Sequence, residues 1–261
     1  MEIAGAETAV VIAAGAGRRM RESNGGARPK PATLVVGIPI VVRVLWRLAE
    51  TGVRRAVVVT GCRAPEVEAT ARAGRPPGLE LVFVHNDGWE RQNGLSVLAA
   101  RHAVGGAPFV LTMADHLYSP LVIEALRTVR ARDVDVALAV DRRLGDIGDI
   151  DDATRVRTVG GGRIAEIGKG LSLYDAIDTG VFLCTPALFD AIEGERDVRG
   201  DCSLSHGVAR VARAGRALAV DIPEEAWWQD IDNAADLARA ERKLLRHEAV
   251  ATHVAPTVQV A

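Results

Sequence analysis

The chain has 261 residues, 48% of them hydrophobic and 25% charged, with a formal net charge of −2. That is ordinary globular composition, enough for one α/β domain or at most two small ones with a core that needs no disulfide or metal, and it removes any global electrostatic case for nucleic acid or an anionic membrane surface. Cys62, Cys184 and Cys202 are too few and too widely spaced for a disulfide framework or a zinc site; the polar Met1–Glu7 carries no signal pattern, and the longest apolar run, Val35–Leu45, is broken by Gly37, Pro39 and Arg43 and too short to span a bilayer, so reduced thiols in the cytoplasm are expected.

The elements alternate. Ala9–Ala13 (AVVIA) predicts a buried strand, and Pro39–Glu50 places Ile40, Val44, Leu45 and Leu48 at helical spacing. Ala56–Thr60 is a second strand ended by Gly61, Ala64–Ala73 a polar helix closed by Gly74, and Leu79–His85 a third strand. A helix over Gly94–His102, a strand over Phe109–Met113, a helix over Ser119–Arg130 with Pro120 in its first turn, and a strand over Val134–Val140 complete the first half. Short, nearly all-apolar strands with helices between them predict a parallel sheet covered on both faces. The second half reads differently. Arg155–Val159 and Arg163–Ile167 flank three glycines, Gly160–Gly162, as a hairpin. Thr179–Cys184 and Ala217–Ile222 are strands; Pro186–Glu193, Leu204–Ala214 and Ala234–Arg246 are helical; 247–261 reads as a flexible tail.

After the first strand the chain reads Gly15-Ala16-Gly17-Arg18-Arg19-Met20. Glycines at that place let backbone N–H groups turn toward an anion. A dinucleotide fingerprint fits badly, because Met20 stands where its third glycine belongs and Thr60-Gly61 where its acid belongs. A Walker loop lacks its Gly-Lys-Ser/Thr. A nucleotidyltransferase loop, Gly-x-Gly-x-Arg-Met followed by Pro-Lys, is met by Gly15, Gly17, Arg19, Met20, Pro29 and Lys30. A tight turn with a surface arginine competes with it.

With these residues the chain resembles the nucleotidyltransferases that join a phosphorylated small molecule to a nucleoside triphosphate, and among them the cytidylyltransferases of inositol 1-phosphate. The likeness runs from about Thr8 to Leu245. It rests on Glu90–Ser96 (ERQNGLS), Asp115–Ser119 (DHLYS), Ile167-Gly168-Lys169, Asp178-Thr179-Gly180 and Trp228–Asp232 (WQDID). It implies a Rossmann-like, doubly wound mixed α/β sheet of the GT-A-like type. The chain would be a single domain over 1–246, with a nucleotide-binding half over about 8–140 and a small acceptor-binding β subregion within 141–246. It implies CTP and a phosphorylated polyol as substrates, Mg²⁺ as cofactor, no nucleic-acid partner and no membrane segment, and leaves a homodimer open. Pyrimidine choice, CTP or UTP, and the acceptor also stay open: another phosphorylated alcohol, a phosphonate or a sugar phosphate. A catalytically silent nucleotide sensor is the reading from another class.

The resemblance also assigns roles. Arg19 and Lys30 neutralise the β- and γ-phosphates, Ala14, Gly15, Ala16, Gly17 and Arg18 form the cradle, and Gly61, Asn93, Gly94 and Ser96 approach the base. Asp115 and one of Asp230 and Asp232 hold the metal, a hard cation that takes carboxylates. Lys169 meets the acceptor phosphate, Asp178 accepts from polyol hydroxyls, and His116 orients its neighbours. Structural alternatives stand beside these: helix N-capping for Asp115, Asp232, Asn93 and Ser96, an exposed lysine for Lys169, and, for most of the acidic run Asp146, Asp149, Asp151 and Asp152, solvated surface, with one member open to contact with inositol hydroxyls. Trp227 and Trp228 read as core or lid packing.

Overall fold

The computed structural model describes residues 3–23, 27–131, 133–146 and 150–251. In chain order, β1 (Thr8–Ala13) leads through the glycine loop into α1 (Arg18–Ser23), and a small hairpin, β2 (Leu34–Val35) and β3 (Ile38–Pro39), precedes α2 (Ile40–Glu50). There follow β4 (Arg55–Thr60), α3 (Ala64–Ala73), β5 (Glu80–His85), α4 (Gly94–Ala99), α5 (Arg101–Val104), β6 (Phe109–Met113), β7 (His116–Tyr118), α6 (Pro120–Leu126) and β8 (Val136–Asp141). The rest comprises β9 (Arg155–Val159), β10 (Arg163–Gly168), β11 (Ala176–Cys184), α7 (Ala187–Arg199), α8 (Leu204–Arg213), β12 (Ala217–Asp221), β13 (Trp228–Asp230) and α9 (Ala234–Ala251).

Nine strands form one sheet in the order β5-β4-β1-β6-β11-β8-β12-β10-β9. The strands β5, β4, β1 and β6 are mutually parallel, as their unbroken apolar runs predict, because both faces are covered. Successive residues point to opposite sides. Val11 and Val58 pack with Ile40, Leu45 and Ile123 on one face; Val10 and Val57 pack with Val97, Leu188 and Val208 on the other. The parallel order ends at β11, which runs antiparallel to both β6 and β8, so the sheet is mixed. The expected hairpin over the three glycines is β9–β10.

Three expectations are adjusted. The helix over Gly94–His102 is two consecutive helices, α4 and α5, separated at Ala100. The last helix runs on to Ala251, past Arg246, and the His247 ring stacks on Trp227 at 5.6 Å. The remainder of the expected tail, 252–261, lies outside the described residues. Finally, Trp228–Asp230 is a strand, too short to show a period, paired antiparallel with β7. Among the described residues no helix is long and apolar enough to cross a membrane.

Candidate active site

The register of two neighbouring strands builds the first part of the site. In the parallel pair β1–β6, Ile12 lies opposite Met113, and Ala114 N–H donates to the Ile12 carbonyl at 2.9 Å. The glycine loop and Asp115 therefore leave the sheet side by side, at the strand ends where open α/β sheets gather ligands. Gly17 has φ +56°, and a β-carbon on it would lie 2.6 Å from Lys30 Cβ. Only glycine lets the loop close down on Lys30, whose side chain is 7% exposed. The result is a pocket of about 300 Å³ lined by Gly15, Gly17, Arg18, Arg19, Lys30 and Asp115, among others.

The β7–β13 ribbon brings in the late acids. It sets Asp230 opposite His116, and Ile231 N–H donates to the Asp115 carbonyl at 3.1 Å. Lys30 Nζ then lies 2.7 Å from Asp115 Oδ2, 2.5 Å from Asp232 Oδ1 and 3.9 Å from Asp230 Oδ1. The capping alternative for Asp232 is met instead by Asn233, whose Oδ1 accepts from Ala235 N–H at 2.8 Å and Asp236 N–H at 3.1 Å. Nor does Asp115 cap a helix: it sits in the turn between β6 and β7.

Charge is concentrated here. Burial disfavours the Lys30 ammonium, but Asp115, Asp230 and Asp232 more than offset it and hold its pKa above the ordinary value. Burial likewise works against the Asp115 carboxylate, and Lys30 and His116 pull its pKa well below the usual range. His116 Nδ1 donates to Asp115 Oδ1 at 2.8 Å, and the imidazole, desolvated but beside Asp230 and Asp115, is raised to about 9. Gly180 makes room for it: with φ +76°, a β-carbon there would lie 2.4 Å from His116 Cδ2. Asp230 is pushed upward by burial and by the neighbouring carboxylates, and its buried Oδ1 has no hydrogen-bond partner.

A larger cavity of about 580 Å³ adjoins the loop pocket, and Asp232 lines both. Lys169, Asp152, Asp178, Asp141, Arg143 and Trp228 are among its walls. Asp178 sits at an irregularity of β11 and accepts from Gly180 N–H at 2.7 Å; burial pushes its carboxyl up to about 6. Asp152, which reads as solvated surface in the sequence, accepts from Lys169 Nζ at 2.5 Å and from Arg19 Nη2 at 2.7 Å. Arg19 Nη2 also donates to Asp232 Oδ2 at 2.5 Å. Charges of alternating sign thus run unbroken across both pockets: Lys169, Asp152, Arg19, Asp232, Lys30, Asp115, His116. Of the other acids in that run, Asp151 lies 3.5 Å from Arg155, while Asp149 and the side chain of Asp146 lie outside the described residues.

The structure adds residues that sequence reasoning did not single out. Asp141 accepts from Arg143 Nε at 2.8 Å and from Trp228 Nε1 at 2.9 Å, and the Trp228 ring stacks on His116 at 6.4 Å. The signal was present: Asp141 ends β8 as an acid just past an apolar run, the pattern that draws attention to Asp115. Trp228 is thus both packing and cavity wall. The residues expected near the base also hold structural positions, and Asn93 lines the larger cavity as well. Asn93 Oδ1 accepts from Leu204 N–H at 2.9 Å, joining α4 to the start of α8, and Ser96 Oγ accepts from Asn86 Nδ2 at 2.9 Å. Gly94 packs on the Cys202 carbonyl and Gly61 on Trp89, each closer than a β-carbon permits. Ala14 is buried, and its carbonyl accepts from Cys62 N–H at 3.0 Å; Ala16 is half-buried at the loop.

Comparison with known proteins agrees with this geometry. The "Bifunctional IPC transferase and DIPP synthase" of Rubrobacter xylanophilus is 37% identical over 241 residues, 91% of this chain and 52% of that protein. The protein of the same name from Archaeoglobus fulgidus is 35% identical over 237 residues, 91% of this chain and 44% of its own length. The chain therefore spans about half the length of these relatives. The structure of the inositol-1-phosphate CTP transferase from T. maritima superposes with a TM-score of 0.79 at 27% identity, covering 92% of this chain and 96% of that one. The MobA-like NTP transferase domain model matches residues 9–248, and the chain is a nucleotidyltransferase of that family, with the mixed α/β fold of the GT-A-like type.

Proposed function

We propose that the chain transfers a cytidylyl group from CTP to inositol 1-phosphate, giving CDP-inositol and pyrophosphate. The observation that carries the reading is the pair of adjoining pockets that share Asp232, one under a glycine loop with Arg19 and Lys30, the other with Lys169 and Asp178. Two anionic substrates must meet there, and the cleft offers cations on both sides of the junction. The name of the T. maritima structure supplies the nucleotide and the acceptor.

In this reading the acceptor phosphate, already ionised, needs no base. It attacks the α-phosphorus in line, and positioning with charge neutralisation carries the rate. Arg19 forks onto the triphosphate and Lys30 meets it as a point charge. Lys169 brings in the acceptor phosphate, and Asp178 accepts from its hydroxyls.

The residues present also fit a divalent cation. Ligand atoms of Asp115, His116 and Asp230 lie within 4.8 Å of one another, and Asp230 Oδ1 is buried without a hydrogen-bond partner. Oxygen ligands suit Mg²⁺, and His116, hydrogen-bonded through Nδ1 to Asp115, would orient that carboxylate. Asp115 and Asp230 would hold the ion, with Asp232, engaged by Arg19 and Lys30, beside them. Bound Mg²⁺ would neutralise charge developing on the phosphates. The test is pyrophosphate release from CTP and Mg²⁺ with a panel of phosphorylated polyols, phosphonates and sugar phosphates. Release with inositol 1-phosphate is expected; release only with another acceptor would overturn the named substrate.

A further inference from the structure

The carboxylate of Asp152 occupies an unusual place. Its Oδ1 meets Lys169 Nζ at 2.5 Å and its Oδ2 meets Arg19 Nη2 at 2.7 Å, so one anion spans the cations of the two substrate halves. Lys169 and Arg19 belong to segments far apart in sequence, the turn after β10 and the glycine loop, and without an anion between them they would repel. Hydrogen bonds from both hold the Asp152 carboxyl below its ordinary value although burial works the other way. A carboxylate gripped from two sides by Lys and Arg has the charge and donor pattern that a phosphate takes. The cavity beyond it is walled by Asp178, Trp228 and the Asp141–Arg143 pair among others, which together offer an acceptor for hydroxyls and an indole beside them.

We propose that Asp152 is a built-in anion holding the acceptor-phosphate position in the empty enzyme, a competitor that every phosphate must displace, so that only one with further contacts in the cavity fills the site at low concentration. The inference rests on the reading in which Lys169 meets the acceptor phosphate. Free inorganic phosphate has only its own charge with which to displace Asp152. A phosphate joined to a polyol draws also on the cavity beyond, and that remote binding drives the exchange. Asp152 acts through Lys169 and Arg19 and is a positioning residue.

Calorimetric titration of the full chain with inorganic phosphate and with inositol 1-phosphate, each with and without α,β-methylene CTP and Mg²⁺, tests this without turnover. Both cations are about half exposed, 59% for Lys169 and 51% for Arg19, so the competing pairs are modest. Asp152→Asn should tighten inorganic phosphate about fivefold and inositol 1-phosphate in the same direction. Adding Lys169→Ala should cancel that gain, a non-additivity that a merely structural Asp152 would not produce. Weaker inositol 1-phosphate binding in Asp152→Asn, or a gain that survives Lys169→Ala, would overturn the proposal while leaving the acceptor reading intact. If instead inositol 1-phosphate binds under neither condition while Asp152→Asn still tightens inorganic phosphate, the named acceptor falls and the built-in anion stands.

Discussion

Around the glycine loop, the groups that face the cleft are set by main chain: parallel strands β1 and β6 fix the loop beside Asp115, and Gly17 seats Lys30. On the acceptor side they are set by one another. Trp228 and Arg143 are held by Asp141, Lys169 by Asp152, which also reaches Arg19 on the loop side, and the antiparallel strand β11 carries Asp178 at an irregularity. A frame of backbone registers tolerates side-chain change at its rim. A wall of mutually bonded side chains can be rebuilt for a new ligand, and a new substitution there propagates to its neighbours. In the proposed function the first arrangement would hold the triphosphate and the second the acceptor.

Substitutions in the loop half should therefore stop chemistry, and those in the acceptor half should shift recognition. The largest effect is expected at Asp115: Asp115→Ala should lower kcat by roughly 10³-fold with an unchanged far-ultraviolet circular dichroism spectrum. Near-normal turnover would remove the metal assignment. Lys30→Met comes next. It leaves Asp115, Asp230 and Asp232 crowded without their buried counter-charge, and thermal unfolding at pH 7 should show a loss of roughly 3 kcal/mol along with weakened CTP binding.

These two residues also mark how much of the site could be read beforehand. Lys30 and Asp115 follow local patterns, a glycine loop with Pro-Lys and an acid just past an apolar strand, because backbone geometry places them. Asp152 had no such signal: its meaning comes from Lys169 and Arg19, which the chain brings to it from both directions, and in sequence it is one acid among four. Asp230 and Asp232 were found through resemblance; their physical cause is a three-residue strand paired with His116–Tyr118, too short to carry a period. Asn93 and Ser96 show the reverse case. The side chains that the resemblance places at the base also tie α4 to Leu204, far along the chain, and to Asn86, partners that no local pattern announces. The alternation of strands and helices, by contrast, was legible almost throughout the first half, since its apolar strands pack on both faces, the edge strand β5 only partly buried.

Smaller effects sharpen the acceptor half. Asp178→Asn should raise the acceptor KM about tenfold, the scale of a hydrogen bond to a charged group. Because burial pushes the wild-type carboxyl up to about 6, lowering the pH through that value protonates it and should raise the acceptor KM. The same titration of Asp178→Asn keeps only the step owed to the acceptor's own phosphate; identical profiles for the two proteins would remove Asp178 from the acceptor site. The smallest effect is expected at Ser96. Ser96→Ala leaves buried Asn86 without this partner and should cost about 1 kcal/mol of stability with the CTP KM unchanged; a raised CTP KM would return Ser96 to the base pocket.

The central claim, that the two pockets sharing Asp232 bring an acceptor phosphate onto the α-phosphorus of CTP, is tested most directly with CTP labelled in its α-phosphate, inositol 1-phosphate and Mg²⁺. The account predicts that the label moves into an inositol-containing product while unlabelled pyrophosphate is released in equal amount. Label that stays in CTP, or that appears only as CMP, would contradict it.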